Sequence, residues 1–178
     1  MVPMALADLL LRLAEAELYR PLWSQRVLDE MVYAIEQARP TLPPGKAAAR
    51  AVAMNEAFND ACVEGWERVK LNVDLPDAND AHVVAAALRG RADMIVTANL
   101  ADFPSSVLAA LGLEVQHPDD FLLSQLDLEP EVTMMALENQ ARATKKPAIT
   151  ERNLLEHLKG CGVPRFAKEA SQQLAWVR

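Results

Sequence analysis

Apolar residues recur along this chain in two rhythms. Leu6, Leu9, Leu10 and Leu13 stand three and four apart, the spacing of one helix face, so residues 6–17 predict an amphipathic helix that Pro21 ends. Ser24 precedes Val27, Leu28, Met31, Val32 and Ile35, which predicts a second helix capped by the Ser24 hydroxyl. The stretch from Pro40 to Gly45 holds three prolines and reads as a loop, and the Ala-rich residues 46–58 read as a third helix. Over 67–75, Val69, Leu71 and Val73 alternate with polar residues, the period of a strand.

Residues 76–116 carry a different pattern. Pro76-Asp77-Ala78-Asn79-Asp80 leads into an Ala/Val-rich helix that runs to Leu88 and stops at Arg89-Gly90-Arg91. Met94–Thr97 predicts a short buried strand, 98–104 a loop, 106–111 a helix ended by Gly112, and 113–116 a second strand. Strand, helix and strand at this spacing imply a right-handed crossover and a parallel sheet, hence an α/β layer fold. From residue 127 only helical patterns remain. Thr150 caps one bearing Leu154, Leu155 and Leu158, and Pro164 opens another bearing Ala167, Ala170 and Leu174. The expected organisation is an α/β domain over 1–126 and a helical C-terminal appendage over 127–178.

Composition narrows the function classes. Hydrophobic residues make up 51% and charged residues 24%, a globular balance, and no apolar run reaches the ~18 residues of a membrane helix. The first residues lack the basic-then-apolar build of a signal peptide, which points to the cytoplasm. Cys62 and Cys161 stand outside any ligand spacing. The net charge of −7 is uneven: residues 1–126 hold 18 acids against 10 bases, and 127–178 hold 7 against 8. A protein that coats nucleic acid is expected to be basic, because phosphate neutralisation supplies most of that affinity. The acidic excess is either a solvated surface or, in part, a cluster that holds a divalent cation.

Phosphate loops, paired Cys-x-x-Cys motifs and serine-nucleophile elbows are missing from the sequence, so carboxylates are the remaining candidates. Asp80, Val83, Val84, Ala87 and Leu88 form one stripe, so Asp80 continues a buried face; alternatively Asp77 is an N-cap and Asp80 a first-turn acid favoured by the helix dipole. Thr97, Asn99 and Asp102 follow a strand end, where ligands bind in open α/β sheets, although Asn99 and Asp102 equally suit turn hydrogen bonds. Glu30 sits at the margin of its helix stripe, as a rim ligand or a solvated acid. Together these are oxygen-only donors, which hard Mg²⁺ or Mn²⁺ prefers for phosphodiester hydrolysis.

The blocks Leu75-Pro76-Asp77-Ala78-Asn79-Asp80-Ala81-His82-Val83-Val84-Ala85-Ala86-Ala87 and Ala92-Asp93-Met94-Ile95-Val96-Thr97-Ala98-Asn99-Leu100-Ala101-Asp102-Phe103-Pro104 resemble PIN-domain proteins of the VapC toxin type. So do His117-Pro118-Asp119-Asp120-Phe121-Leu122, the helix at 9–16 and the segment 23–30. The resemblance implies a PIN-like α/β/α sandwich with a central parallel sheet and an Mg²⁺- or Mn²⁺-dependent endoribonuclease. It also implies a small antitoxin partner and a homodimer. Position by position, it assigns metal ligation to Asp80, Asp102 and Glu30, with Asp77 as an outer acid. Asn99 and Thr97 become the polar positions beside them. His82 follows Asp80 in this branch, and a buried structural histidine explains it as well. The family also has an initial strand ending in Asp, whereas no Asp precedes Asp8 here. That departure leaves a second expectation, a PIN scaffold that binds an antitoxin or itself without cutting RNA.

Overall fold

The structure, a computed structural model, describes residues 3–145 and 148–176. Its helices are α1 (Met4–Glu15), α2 (Gln25–Ala38), α3 (Lys46–Ala57), α4 (Ala81–Gly90), α5 (Ser105–Ala109), α6 (Pro118–Leu128), α7 (Pro130–Ala143), α8 (Glu151–Gly160) and α9 (Pro164–Trp176). Its strands are β1 (Met94–Val96) and β2 (Glu114–Gln116). The chain divides into two compact units: residues 21–95 with 99–115, and residues 3–20 with 96–98 and 116–176.

In the first unit, the Ser24 hydroxyl accepts the Val27 amide at 3.3 Å and opens α2, as its position before the apolar stripe predicts. Trp23 follows its neighbours into a short parallel pairing, donating its amide to Ala61 at 3.0 Å and accepting that of Val63 at 2.7 Å. Helix α4 packs close to this segment. A Cβ on Gly90 would stand 2.8 Å from a Val63 methyl and 2.9 Å from one of Leu22, so any larger residue there would force these side chains to shift. Arg91, at φ 55°, then closes α4 in the left-handed conformation. The apolar face of α4 gives Val84 and Ala87 to a core shared with Leu75, Ile95, Phe103, Leu108 and Leu113.

Strands β1 and β2 pair through Glu114 N–H to the Asp93 carbonyl (2.9 Å) and Thr97 N–H to the Gln116 carbonyl (3.0 Å). The partner numbers rise together, so the strands are parallel, with α5 in the crossover between them. The α/β class with a parallel sheet therefore stands, as a mostly helical protein whose sheet has two short strands among the described residues. The strand expected over 67–75 does not form. Trp66–Arg68 is a single 3₁₀ turn, and 69–75 runs on without pairing into a strand. Leu71 and Val73 pack on the core, which accounts for the alternation without a ladder.

The second unit is helical. Leu6, Leu9 and Leu13 of α1 are buried with Leu122, Leu126, Leu137, Leu154, Leu155, Leu158 and Phe166. The Thr150 hydroxyl accepts the Asn153 amide at 3.2 Å and caps α8, as expected. Asp119 is 5% exposed, and its two carboxylate oxygens accept the amides of Arg165 (3.1 Å) and Phe166 (2.8 Å), tying α6 to the start of α9. Among the described residues, no helix is long and apolar enough to cross a membrane.

Candidate functional site

Four of the sequence-predicted acids come together in the first unit, around the start of α4. Asp77 Oδ1 accepts the Asn79 amide at 2.8 Å and the Asn79 side-chain amide at 2.9 Å. The Asp80 amide donates back to the Asp77 carbonyl at 3.1 Å, closing the 3₁₀ turn Ala78–Asp80. Asp77 is thus a cap, as one of its two readings held, but a cap of this turn. Asp80 occupies the position before α4 without a side-chain capping bond, and it is half-buried. Burial raises its pKa above the ordinary carboxylate value. The negative charges of Asp77, Asp102 and Glu30 raise it further, and His82 opposes them.

Glu30 does not turn inward. Its side chain is 53% exposed, and Oε1 accepts Arg26 Nε at 3.1 Å and His82 Nε2 at 3.1 Å. His82 is buried at 4% exposure, with its ring centroid 5.8 Å from that of Trp66. Burial pushes the His82 pKa down, and the Glu30 carboxylate pushes back. A carboxylate oxygen can only accept, so Nε2 carries the proton that faces Glu30. Nδ1 is buried with no hydrogen-bond partner among the described residues. The sequence reading did not place Arg26 or His82 among the ligands. The four-residue spacing of Arg26 and Glu30 on one helix was a readable signal, whereas the contact from α4 was not.

Asn99 and Asp102 meet each other, the Asn99 amide donating to Asp102 Oδ2. This is the local bond that the turn reading foresaw, and it leaves Asp102 among the charges acting on Asp80. Thr97 follows β1 in the second unit, its amide bonded to Gln116.

Negative charge concentrated on half-buried oxygen donors suits a hard divalent cation, which neutralises the repulsion that raises the Asp80 pKa. Among the described residues, no three His, Cys, Asp or Glu side chains converge closely enough to form a metal cage.

The PIN domain family matches residues 2–101, more than half of the chain, and the family described as VapC50 C-terminal domain matches residues 118–172. A curated relative from Mycobacterium tuberculosis (strain ATCC 25618 / H37Rv), named "Putative ribonuclease VapC50", is 46% identical over 91 residues. That alignment covers 51% of this chain and 53% of the relative, so the chain spans about half of the relative's length. No solved structure gives a significant match. With a parallel β1–β2 crossover and a family match over residues 2–101, the chain belongs to the PIN-domain family.

Proposed function

We propose that this chain is a divalent-metal-dependent endoribonuclease of the VapC type, which cleaves RNA phosphodiester bonds at the carboxylates around Asp80. The observation that carries the reading is Asp80 itself: half-buried before α4, without a side-chain capping bond, its pKa raised by burial and then by the charges of Asp77, Asp102 and Glu30. The relative's printed name supports RNA as the substrate.

In this reading Asp80 and Asp102 hold Mg²⁺ or Mn²⁺, with Glu30 and Asp77 completing the negative ring. The cation, when bound, lowers the pKa of water and stabilises charge on the leaving oxygen. The protein's part is positioning. Asn99 orients the Asp102 carboxylate through its amide, and the turn built on Asp77 sets Asp80 at the start of α4. Arg26 and His82 fix one oxygen of Glu30 and leave the other to act. Asn99 is also given the role of orienting water or phosphate. The same reading gives residues 1–126 to the PIN-like domain and 127–178 to a helical appendage, with a small antitoxin and a second copy of the chain as protein partners.

A second reading is favoured by Glu30 itself. Its charge is already met by Arg26 and its Oε1 by His82. A carboxylate so engaged suits a PIN scaffold that binds an antitoxin or itself without cleaving RNA. One assay separates the two: cleavage of a mixed RNA pool in Mn²⁺ by the wild-type chain, by Asp80→Asn, and with EDTA. The nuclease reading expects cleavage that EDTA abolishes and that Asp80→Asn lowers at least about 100-fold. Undiminished cleavage by the variant overturns the site assignment, and an inactive wild-type chain that still forms a stable partner complex establishes the scaffold.

A further inference from the structure

Trp66 is a large aromatic side chain that the core of the first unit does not enclose. It is half-buried and opens the 3₁₀ turn Trp66–Arg68. Its ring lies 5.8 Å from that of His82, at an interplanar angle of 57°. His82 in turn donates to Glu30 at 3.1 Å, so Trp66 stands one side chain away from the acidic cluster. The segment leading into Trp66 lies along α4. Arg89, seven residues and about 10 Å beyond His82 on that helix, donates from Nε to the Glu64 carbonyl at 3.3 Å. The same Nε lies 3.7 Å from the position a Cβ would take on Gly65. Arg89 remains exposed, with guanidinium donors beyond the one that Glu64 uses. Glu30, the Trp66 ring and the Arg89 guanidinium therefore lie along the flank of α4 that carries His82 and Arg89.

We propose that Trp66 is a nucleobase platform: an unpaired base of single-stranded RNA stacks on its ring, and Arg89 takes a neighbouring phosphate. The inference rests on the reading above for RNA as the ligand. Stacking suits a site of this charge. Glu64 and Glu67 flank the ring, and the first 126 residues carry 18 acids against 10 bases, so general phosphate attraction is weak. Every base offers a π face, and a base stacked on an aromatic side chain binds without a basic groove. One phosphate contact gives a logarithmic salt slope of only about −0.7.

The test is binding of a fluorescein-labelled single-stranded RNA decamer to the full chain in EDTA, read by anisotropy. Trp66→Leu keeps an apolar side chain but removes the stacking face, and Trp66→Tyr restores an aromatic. The expected result is a loss of roughly 5- to 100-fold for Trp66→Leu, with Trp66→Tyr within about threefold of wild type. Equal affinity for Trp66→Leu and wild type overturns the proposal, as does a wild-type chain that does not bind the decamer. A second measurement needs no variant: photocrosslinking of a 5-iodouridine decamer to the wild-type chain. A crosslink at Trp66 supports the platform, and crosslinks confined to other residues overturn it. Because no cleavage occurs in EDTA, a chain that binds through Trp66 yet never cuts RNA refutes the nuclease reading alone. A chain that cuts in Mn²⁺ but binds equally well as Trp66→Leu refutes the platform alone.

Discussion

Asp80, half-buried, and Asp119, buried, both stand at the beginning of a helix, and their surroundings differ in kind. Asp119, in the second unit, has both oxygens filled by the amides of Arg165 and Phe166, and its neighbour Asp120 pairs with Arg165. Asp80, in the first unit, makes no capping bond and is surrounded by Asp77, Asp102 and Glu30. A buried carboxylate that is fully hydrogen-bonded stabilises the architecture. One that is left among like charges costs stability, and such groups cluster where ligands bind. The contrast separates an acid that builds the protein from an acid available for chemistry.

Breaking the satisfied member has the largest expected effect. Asp119→Ala strands the buried Phe166 amide, frees that of the exposed Arg165 and removes a charge-assisted acceptor, so it is expected to lower unfolding stability by about 2 kcal/mol. Urea denaturation of the variant checks this. A loss below about 1 kcal/mol removes Asp119 from its structural role. Thr150→Ala deletes an exposed cap of α8, and about 1 kcal/mol is expected by the same measurement.

Asp80→Asn is expected to move stability the other way, upward by less than about 1 kcal/mol at neutral pH without metal, given solvent screening at a half-buried site. The pH dependence follows from the raised pKa. Between its unfolded and folded pKa values the native state holds the proton more tightly, so stability falls as pH rises through that window. The penalty is complete above the folded pKa and is relieved as pH falls through it. The stability gap between Asp80→Asn and wild type is therefore widest at neutral pH and closes in acid. A gap that is constant with pH, read from thermal melts across the acidic range, contradicts the repulsion around Asp80.

The same contrast explains what the sequence revealed. Caps and stripes act over three or four residues, so Ser24, Thr150 and the α1 leucines were legible, and the β1–α5–β2 crossover was carried by two short apolar runs. The alternation at Val69, Leu71 and Val73 misled because period two reports which side faces the core and says nothing of a pairing strand. Asp119 could not be recognised as a structural acid, since its partners lie 46 and 47 residues away. Spacing offered Asp77, Asp80, Asp102 and Glu30 as oxygen donors but left each with an ordinary alternative; the family resemblance assigned them to one metal site. The His82 contact to Glu30, between different helices, had no local signal at all.

The most direct test of the cluster as a cation site is Mn²⁺ binding, read as loss of the free-ion electron paramagnetic resonance signal on titration. Wild type is compared with Asp80→Asn and with Asp127→Asn, which removes the same charge from an exposed position in the other unit. The account predicts saturable binding by wild type and Asp127→Asn, and affinity at least tenfold weaker in Asp80→Asn. Equal binding by all three proteins would contradict it.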